Sequence, residues 1–164
     1  MRYPAGPPVR CIGRFETAER CTHVTQPIDQ AVWWLRLARG DLADARAILG
    51  EPDAPIRGAA YLAEQSAEKA LKGAIESMGA DPPRIHDLKQ LAASIPLLFD
   101  GWSSPPDLTR LTAAAVTARY PDLDDPPFEF DEVERLIFDA AVVIDAVRAH
   151  FARLGIGAAD LGAI

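Results

Sequence analysis

Cysteine, histidine and long apolar runs are what this chain has least of, and each shortage removes a class of protein. Only Cys11 and Cys21 occur in 164 residues, which excludes a disulfide-stapled scaffold. His23 stands near Cys21, but a closed zinc site needs four ligands and no second ligand pair accompanies them. The two cysteines read as free thiols, and no metal or cofactor is expected. The apolar stretches are short and broken by charge, so no membrane span is expected. The opening MRYPAGPPVRCIGRFE lacks the apolar core of a secretory signal, which makes the cytoplasm the expected compartment. Basic residues are outnumbered too: 17 Lys plus Arg face 24 Asp plus Glu, a net charge of -7. That balance excludes the broad basic footprint of a duplex-DNA binder and leaves room only for a local basic pocket. A glycine-rich phosphate loop, an HExxH motif and a Ser/His/Asp grouping are missing. So are the Glu-x-x-His pairs of a di-metal bundle.

What is present is helical periodicity. Residues 1–28 carry Pro, Gly, Arg and Thr without period and read as a flexible arm. A first helix is predicted over 29–49, with Leu35, Ala38, Leu42, Ala45 and Leu49 on one stripe, widened at its start by Trp33 and Trp34. A second is predicted over 56–78, where Ala60, Ala63, Ala67, Ala70, Ala74 and Met78 share a face that lets a neighbour approach closely. A short third helix over 87–95 opens on Asp87 and Gln90, which resemble a capping box. A fourth starts near Ser104, with Pro105 in the first helical position and Asp107 in the first turn. It ends at Arg119-Tyr120, because Pro121 disfavours helical geometry in the residue before it. A fifth begins at Asp131, with Glu134 three residues on. It carries Val133, Ile137, Ala140, Ile144, Val147 and Phe151 on one stripe and closes at Gly155. The fold class is therefore all-α: an antiparallel, up-and-down bundle of four long helices and one short one over 29–155, with 156–164 as a frayed tail.

The chemistry-bearing residues gather in three segments. EQSAEKALK, Glu64 to Lys72, puts Gln65, Glu68, Lys69 and Lys72 on the side of the second helix opposite its alanines. Glu68 and Lys72 have the favourable i, i+4 order for an ion pair. The plain expectation is a solvated face with local pairs; the functional one is a lysine-bearing groove for an anion, or a dimer face with buried charge pairs. PPRIHDLKQL places His86 just before the third helix, where it either packs or titrates near neutral pH and touches phosphate. His150 falls near the end of the fifth helix, where a cation is mildly favoured. RYPDLDD, residues 119–125, ends the fourth helix with an arginine that could hold phosphate, bond Asp122 or cap helix carbonyls.

The order LARGDLADARAIL, AEQSAEKALKGAI, PPRIHDLKQL, ARYPD, spread over residues 33–154, resembles the HEPN family, named for higher eukaryotes and prokaryotes nucleotide-binding. The resemblance implies an α-helical bundle, commonly homodimeric, that binds nucleotides or RNA. It also implies a setting: many members are encoded beside a minimal nucleotidyltransferase and form a toxin–antitoxin pair with it. Glu68, Lys69 and Lys72 match the family's EKaLK positions, His86 its His-Asp-Leu, and Arg119, Tyr120, Pro121 and Asp122 its Arg-Tyr-Pro-Asp. Leu62 stands where relatives often have His. Some branches are metal-independent endoribonucleases whose arginine is followed, after four to six residues, by a histidine. Here the corresponding positions are Asp124, Asp125 and Pro126.

That substitution bears on chemistry. In-line attack by a ribose 2′-hydroxyl needs a base and an acid, and a guanidinium cannot serve as a base at neutral pH. The expectation is a non-catalytic nucleotide- or RNA-binding protein, or a nucleotidyltransferase partner, in which Arg119, Lys69, Lys72 and His86 hold phosphate with Glu68, Tyr120 and Asp122 in support. The alternatives are an endoribonuclease toxin using Arg119 with His86, a structural dimer module, and a Tyr120 that accepts a nucleotidyl group.

Overall fold

In a computed structural model, the chain is described over residues 27–100, 102–120 and 127–156. Five helices follow in order: α1 Pro27–Gly50, α2 Arg57–Ser77, α3 Leu88–Ala93, α4 Leu108–Arg119 and α5 Phe130–Arg153. No strand occurs among the described residues. The all-α architecture is as expected from the stripes. The predicted arm, Cys11, Cys21, His23, Pro121 to Pro126 and most of the predicted tail lie outside the described residues.

α2 is the central rod. It touches each of the other four helices, while α1 and α5 close against each other on one side and α3 and α4 on the other. Its alanines explain how one helix can meet so many partners. Ala59, Ala60, Ala63, Ala67, Ala70 and Ala74 are fully buried, and side chains this small let neighbouring backbones come close. Met78, placed on this stripe from spacing, lies beyond the helix end and is exposed. The closest approach is at Gly73. A Cβ there would stand 2.9 Å from Trp34 Cβ and 3.0 Å from the Ala31 carbonyl oxygen. Neither atom can swing aside, since one is fixed to and the other part of the α1 backbone. Gly73→Ala should therefore cost about 2 kcal/mol from overpacking, despite the gain of about 1 kcal/mol in helix propensity. Gly40→Ala, whose Cβ meets nothing within 4 Å, should show the propensity gain alone. Thermal denaturation of the two variants should give shifts of opposite sign.

Two polar ties fix α1 on α2. Trp34 Nε1 donates to Glu76 Oε2 at 3.0 Å, and Lys69 Nζ donates to Asp41. On α5 the predicted stripe from Val133 to Phe151 is buried throughout, widened by Leu136, Val143 and Ala146.

The helix starts differ from expectation where side-chain caps decide them. Asp87 accepts from the Lys89 and Gln90 backbone N–H groups, but the Gln90 side chain donates to the Asp87 carboxylate rather than reaching a backbone N–H. α4 begins at Leu108, not near Ser104: Asp107 is its cap, accepting from Arg110 N. A cap outside the helix satisfies an orphan N–H, and that settles the start in favour of Asp107 over Pro105. α5 begins at Phe130, so Asp131 lies inside the first turn, where its charge suits the helix dipole. His150 also differs. It is buried, its Nε2 has no hydrogen-bond partner, and burial, with Arg153 nearby, depresses its pKa. It is a neutral core histidine rather than a helix-end cation.

Candidate functional site

The side of α2 that spacing assigned to solvent is not solvated. Glu64 and Glu68, one turn apart, are 1% and 5% exposed, because α3 and α4 fold over them. Thr112 on α4 helps hold that cover in place: its Oγ1 accepts from Leu88 N at 3.2 Å and donates to the Leu108 carbonyl at 2.9 Å. This bond fixes the start of α3, and with it the residue before the cap, His86.

Glu68 is the hub. Lys72 Nζ donates to its Oε1 at 2.7 Å, and His86 Nδ1 lies 2.8 Å from its Oε2. Burial alone would raise its pKa, but the hydrogen bonds from Lys72 and His86, with their charges, outweigh burial and hold it below the usual carboxylate range. The imidazole is 61% exposed, so its bond to Glu68 anchors a ring that otherwise faces solvent.

Glu64 behaves in the opposite way. Burial, reinforced by the charge of Glu68, pushes its carboxyl up to about 7. The hydrogen bond from Gln65 Nε2, at 2.9 Å, and the charges of Arg119 and His86 pull against that rise without cancelling it. Its Oε1 has no hydrogen-bond partner. The carboxyl is thus poised to change charge near neutral pH, within electrostatic reach of Arg119 and His86.

Arg119 is the last residue of α4. Its Nε donates to the Ala115 carbonyl oxygen at 3.2 Å, so it does cap a helix carbonyl. Its guanidinium carbon lies 5.7 Å from the centre of the Tyr61 ring and 5.9 Å from that of Tyr120, within cation–π range of both. Tyr120 is 75% exposed. Among the described residues Arg119 forms no ion pair. Asp122, the acid offered as its partner, lies outside the described residues.

Of the residues singled out from the sequence, Glu68, Lys72 and His86 thus belong to one cluster and Arg119 and Tyr120 to a second, with Glu64 in electrostatic reach of both Arg119 and His86. Lys69 belongs to neither: it is turned to α1, where it pairs with Asp41. Two members were not among the expected site residues: Tyr61, and Glu64, which spacing marks only as part of the charged side of the helix. Both stand at helical spacing before Glu68 and on the same side, and that spacing is the signal that could have found them. Among the described residues no group of three or more His, Cys, Asp or Glu is placed to hold a metal ion. No helix there is long and apolar enough to cross a membrane.

Known proteins with the same architecture exist. The crystal structure of TT1696 from Thermus thermophilus superposes with a TM-score of 0.62 at 27% identity, over 74% of this chain and 98% of that one. The crystal structure of ST0689, an archaeal HEPN homologue, does so with a TM-score of 0.55 at 23% identity, over 73% of this chain and 96% of that one. None of the curated proteins matches the sequence significantly. The sequence pattern of the HEPN domain matches residues 31–150, which contain all five residues of the two clusters read from the sequence as well as Tyr61 and Glu64. The chain belongs to the HEPN domain family.

Proposed function

We propose that this protein binds a nucleotide or an RNA phosphate through Arg119, as a non-catalytic, cytoplasmic HEPN homodimer paired with a minimal nucleotidyltransferase in a toxin–antitoxin system. It would represent the Arg-Tyr-Pro-Asp branch that lacks the downstream nuclease histidine. The observation that carries the reading is the state of Arg119: an exposed arginine within cation–π range of Tyr61 and an exposed Tyr120, outside any described ion pair. Such a pairing offers a base an aromatic face and a phosphate a planar donor. His86, whose ring is largely exposed, would be a second contact to the ligand. Lys72 is already engaged by Glu68 and Lys69 by Asp41, so they would set the local potential rather than grip the ligand.

Arg119→Ala should weaken nucleotide binding by about tenfold or more, the scale of one charge-assisted hydrogen bond. Calorimetric titration of ATP, GTP and a short RNA checks this. Equal binding by wild type and variant would remove Arg119 from the role.

One observation favours the nuclease alternative. Glu68 holds Nδ1 of His86 and leaves the exposed ring free to present Nε2, the arrangement by which a carboxylate orients a general-base histidine. RNA digestion by wild type and His86→Ala separates the readings. Cleavage lost in the variant supports a displaced base, and cleavage that survives removes it.

A further inference from the structure

A second charged feature lies on a different pair of helices. Between α1 and α5 there is an open cleft of about 480 Å³. Arg39 and Arg46 of α1 and Arg148 of α5 line it, together with Gly40 and Ala43. In a chain of net charge -7, three arginines lining one groove is a segregation of charge. Neither Asp41 nor Asp44 of α1 lines the cleft. Asp41 is bound by Lys69 of α2, and Asp44 lies close enough to Asp41 to act on it. The one carboxylate lining the cleft is Asp145, 3.5 Å from Arg148, with both side chains more than half exposed. An exposed pair of this kind is worth little and yields readily to a stronger anion. Neither Arg39 nor Arg46 forms an ion pair among the described residues.

We propose that the α1/α5 groove is a binding site for a chain of phosphates, separate from the Arg119 patch. The chemistry follows from the side chains. Guanidiniums are weakly hydrated, always charged and matched in shape to phosphate oxygens. Arg39 and Arg46 are seven residues apart, about 10 Å along the helix axis. That spacing suits two positions on an extended polyanion better than one small ion. Gly40, where a Cβ would meet nothing within 4 Å, adds no side chain to the lining. The same phosphate chemistry is offered by an RNA backbone and by a free polyphosphate.

The experiment uses the full chain and three probes: a fluorescently labelled single-stranded RNA, ATP and inorganic tripolyphosphate. Wild type is compared with the double variant Arg39→Ala/Arg46→Ala, with Arg39→Lys/Arg46→Lys, with Asp145→Asn and with Arg119→Ala. The expected result is binding of at least one probe by wild type, and residual binding of that probe through this groove in Arg119→Ala even where the other patch is lost. The alanine double variant should bind tenfold or more weakly with an unchanged melting temperature, the lysine variant should keep most of the affinity, and Asp145→Asn should tighten it. If RNA is the ligand, the slope of log K against log salt should fall by about 1.4 in the alanine double variant, roughly 0.7 for each phosphate that is no longer neutralised. Binding of RNA alone identifies a backbone site, and binding of ATP and tripolyphosphate a free-polyphosphate site. Failure of wild type to bind all three probes would overturn the proposal, as would equal affinity in the alanine double variant. Loss of binding in Arg119→Ala with none in the double variant would assign the ligand to the other patch and overturn it too.

Discussion

Glu68→Ala is expected to lower the stability of the folded chain by about 3 kcal/mol, the cost of breaking a buried ion pair from one side. Both oxygens of Glu68 are engaged, one by Lys72 and the other by His86. Its removal strands an ammonium that is only 14% exposed and releases the ring of His86 from its anchor. The cost comes from the orphaned charge more than from the lost attraction. Adding Lys72→Met to Glu68→Ala should therefore restore much of the loss, because removing both charges avoids the unpaired one. Urea denaturation of the wild type, single and double variants measures both steps. A loss below about 1 kcal/mol in the single variant, or no recovery in the double, would show that the pair is solvated. The pH dependence has a definite sign. Glu68 has a lowered folded pKa, so its contribution is present above its unfolded value of about 4.5 and is lost as the pH falls through the folded one. The gap between wild type and Glu68→Ala should narrow in acid.

Glu64→Gln should act in the other direction and at the other end of the scale. A carboxyl raised from 4.5 to about 7 holds its proton in the folded chain where the unfolded chain has released it. Between those values the folded state binds more protons, so this group's effect on stability worsens as the pH rises. Glutamine keeps the neutral shape without the titration. The variant should match wild type near pH 5 and exceed it by about 3 kcal/mol at pH 8.5, the equivalent of the shift at 1.36 kcal/mol per unit. His150 works against Glu64 in the same interval, since its lowered pKa makes stability rise with pH there. The difference between the two proteins, rather than either curve alone, isolates Glu64. A difference that stays flat with pH would mean the carboxyl is ionised throughout.

How much of this could be read from the chain depends on the range of the interaction involved. Stripes such as Val133 to Phe151 are local, and they gave all five helices and the sides they bury. Pro121 located the end of α4 because its steric effect falls on its immediate neighbour. The start of α4 went astray because Pro105 and Asp107 both carry helix-start signals, and only the bond to Arg110 N decides between them. The largest misreading concerned Glu64 and Glu68. One helix viewed alone cannot show that α3 and α4 will cover its charged side, and the cover is fixed by bonds such as that from Leu88 to Thr112, 24 residues apart. Arg119 drew notice from the sequence, whereas its cation–π approach to Tyr61 joins two different helices and had no local trace.

The glycine-and-alanine seam between α1 and α2 has a consequence for how this protein can change. Small side chains bury little area apiece, so α2 stays put through the fit of backbone against backbone. A side chain at Gly73 would press on Trp34 and the Ala31 carbonyl, and Glu64, Glu68 and Lys72 ride on the same helix. A mutation beside Trp34 would then be felt as a shift of the charges beneath His86 and Arg119, with none of those residues altered. The patch is aligned from behind, and its geometry is a property of a contact it does not touch.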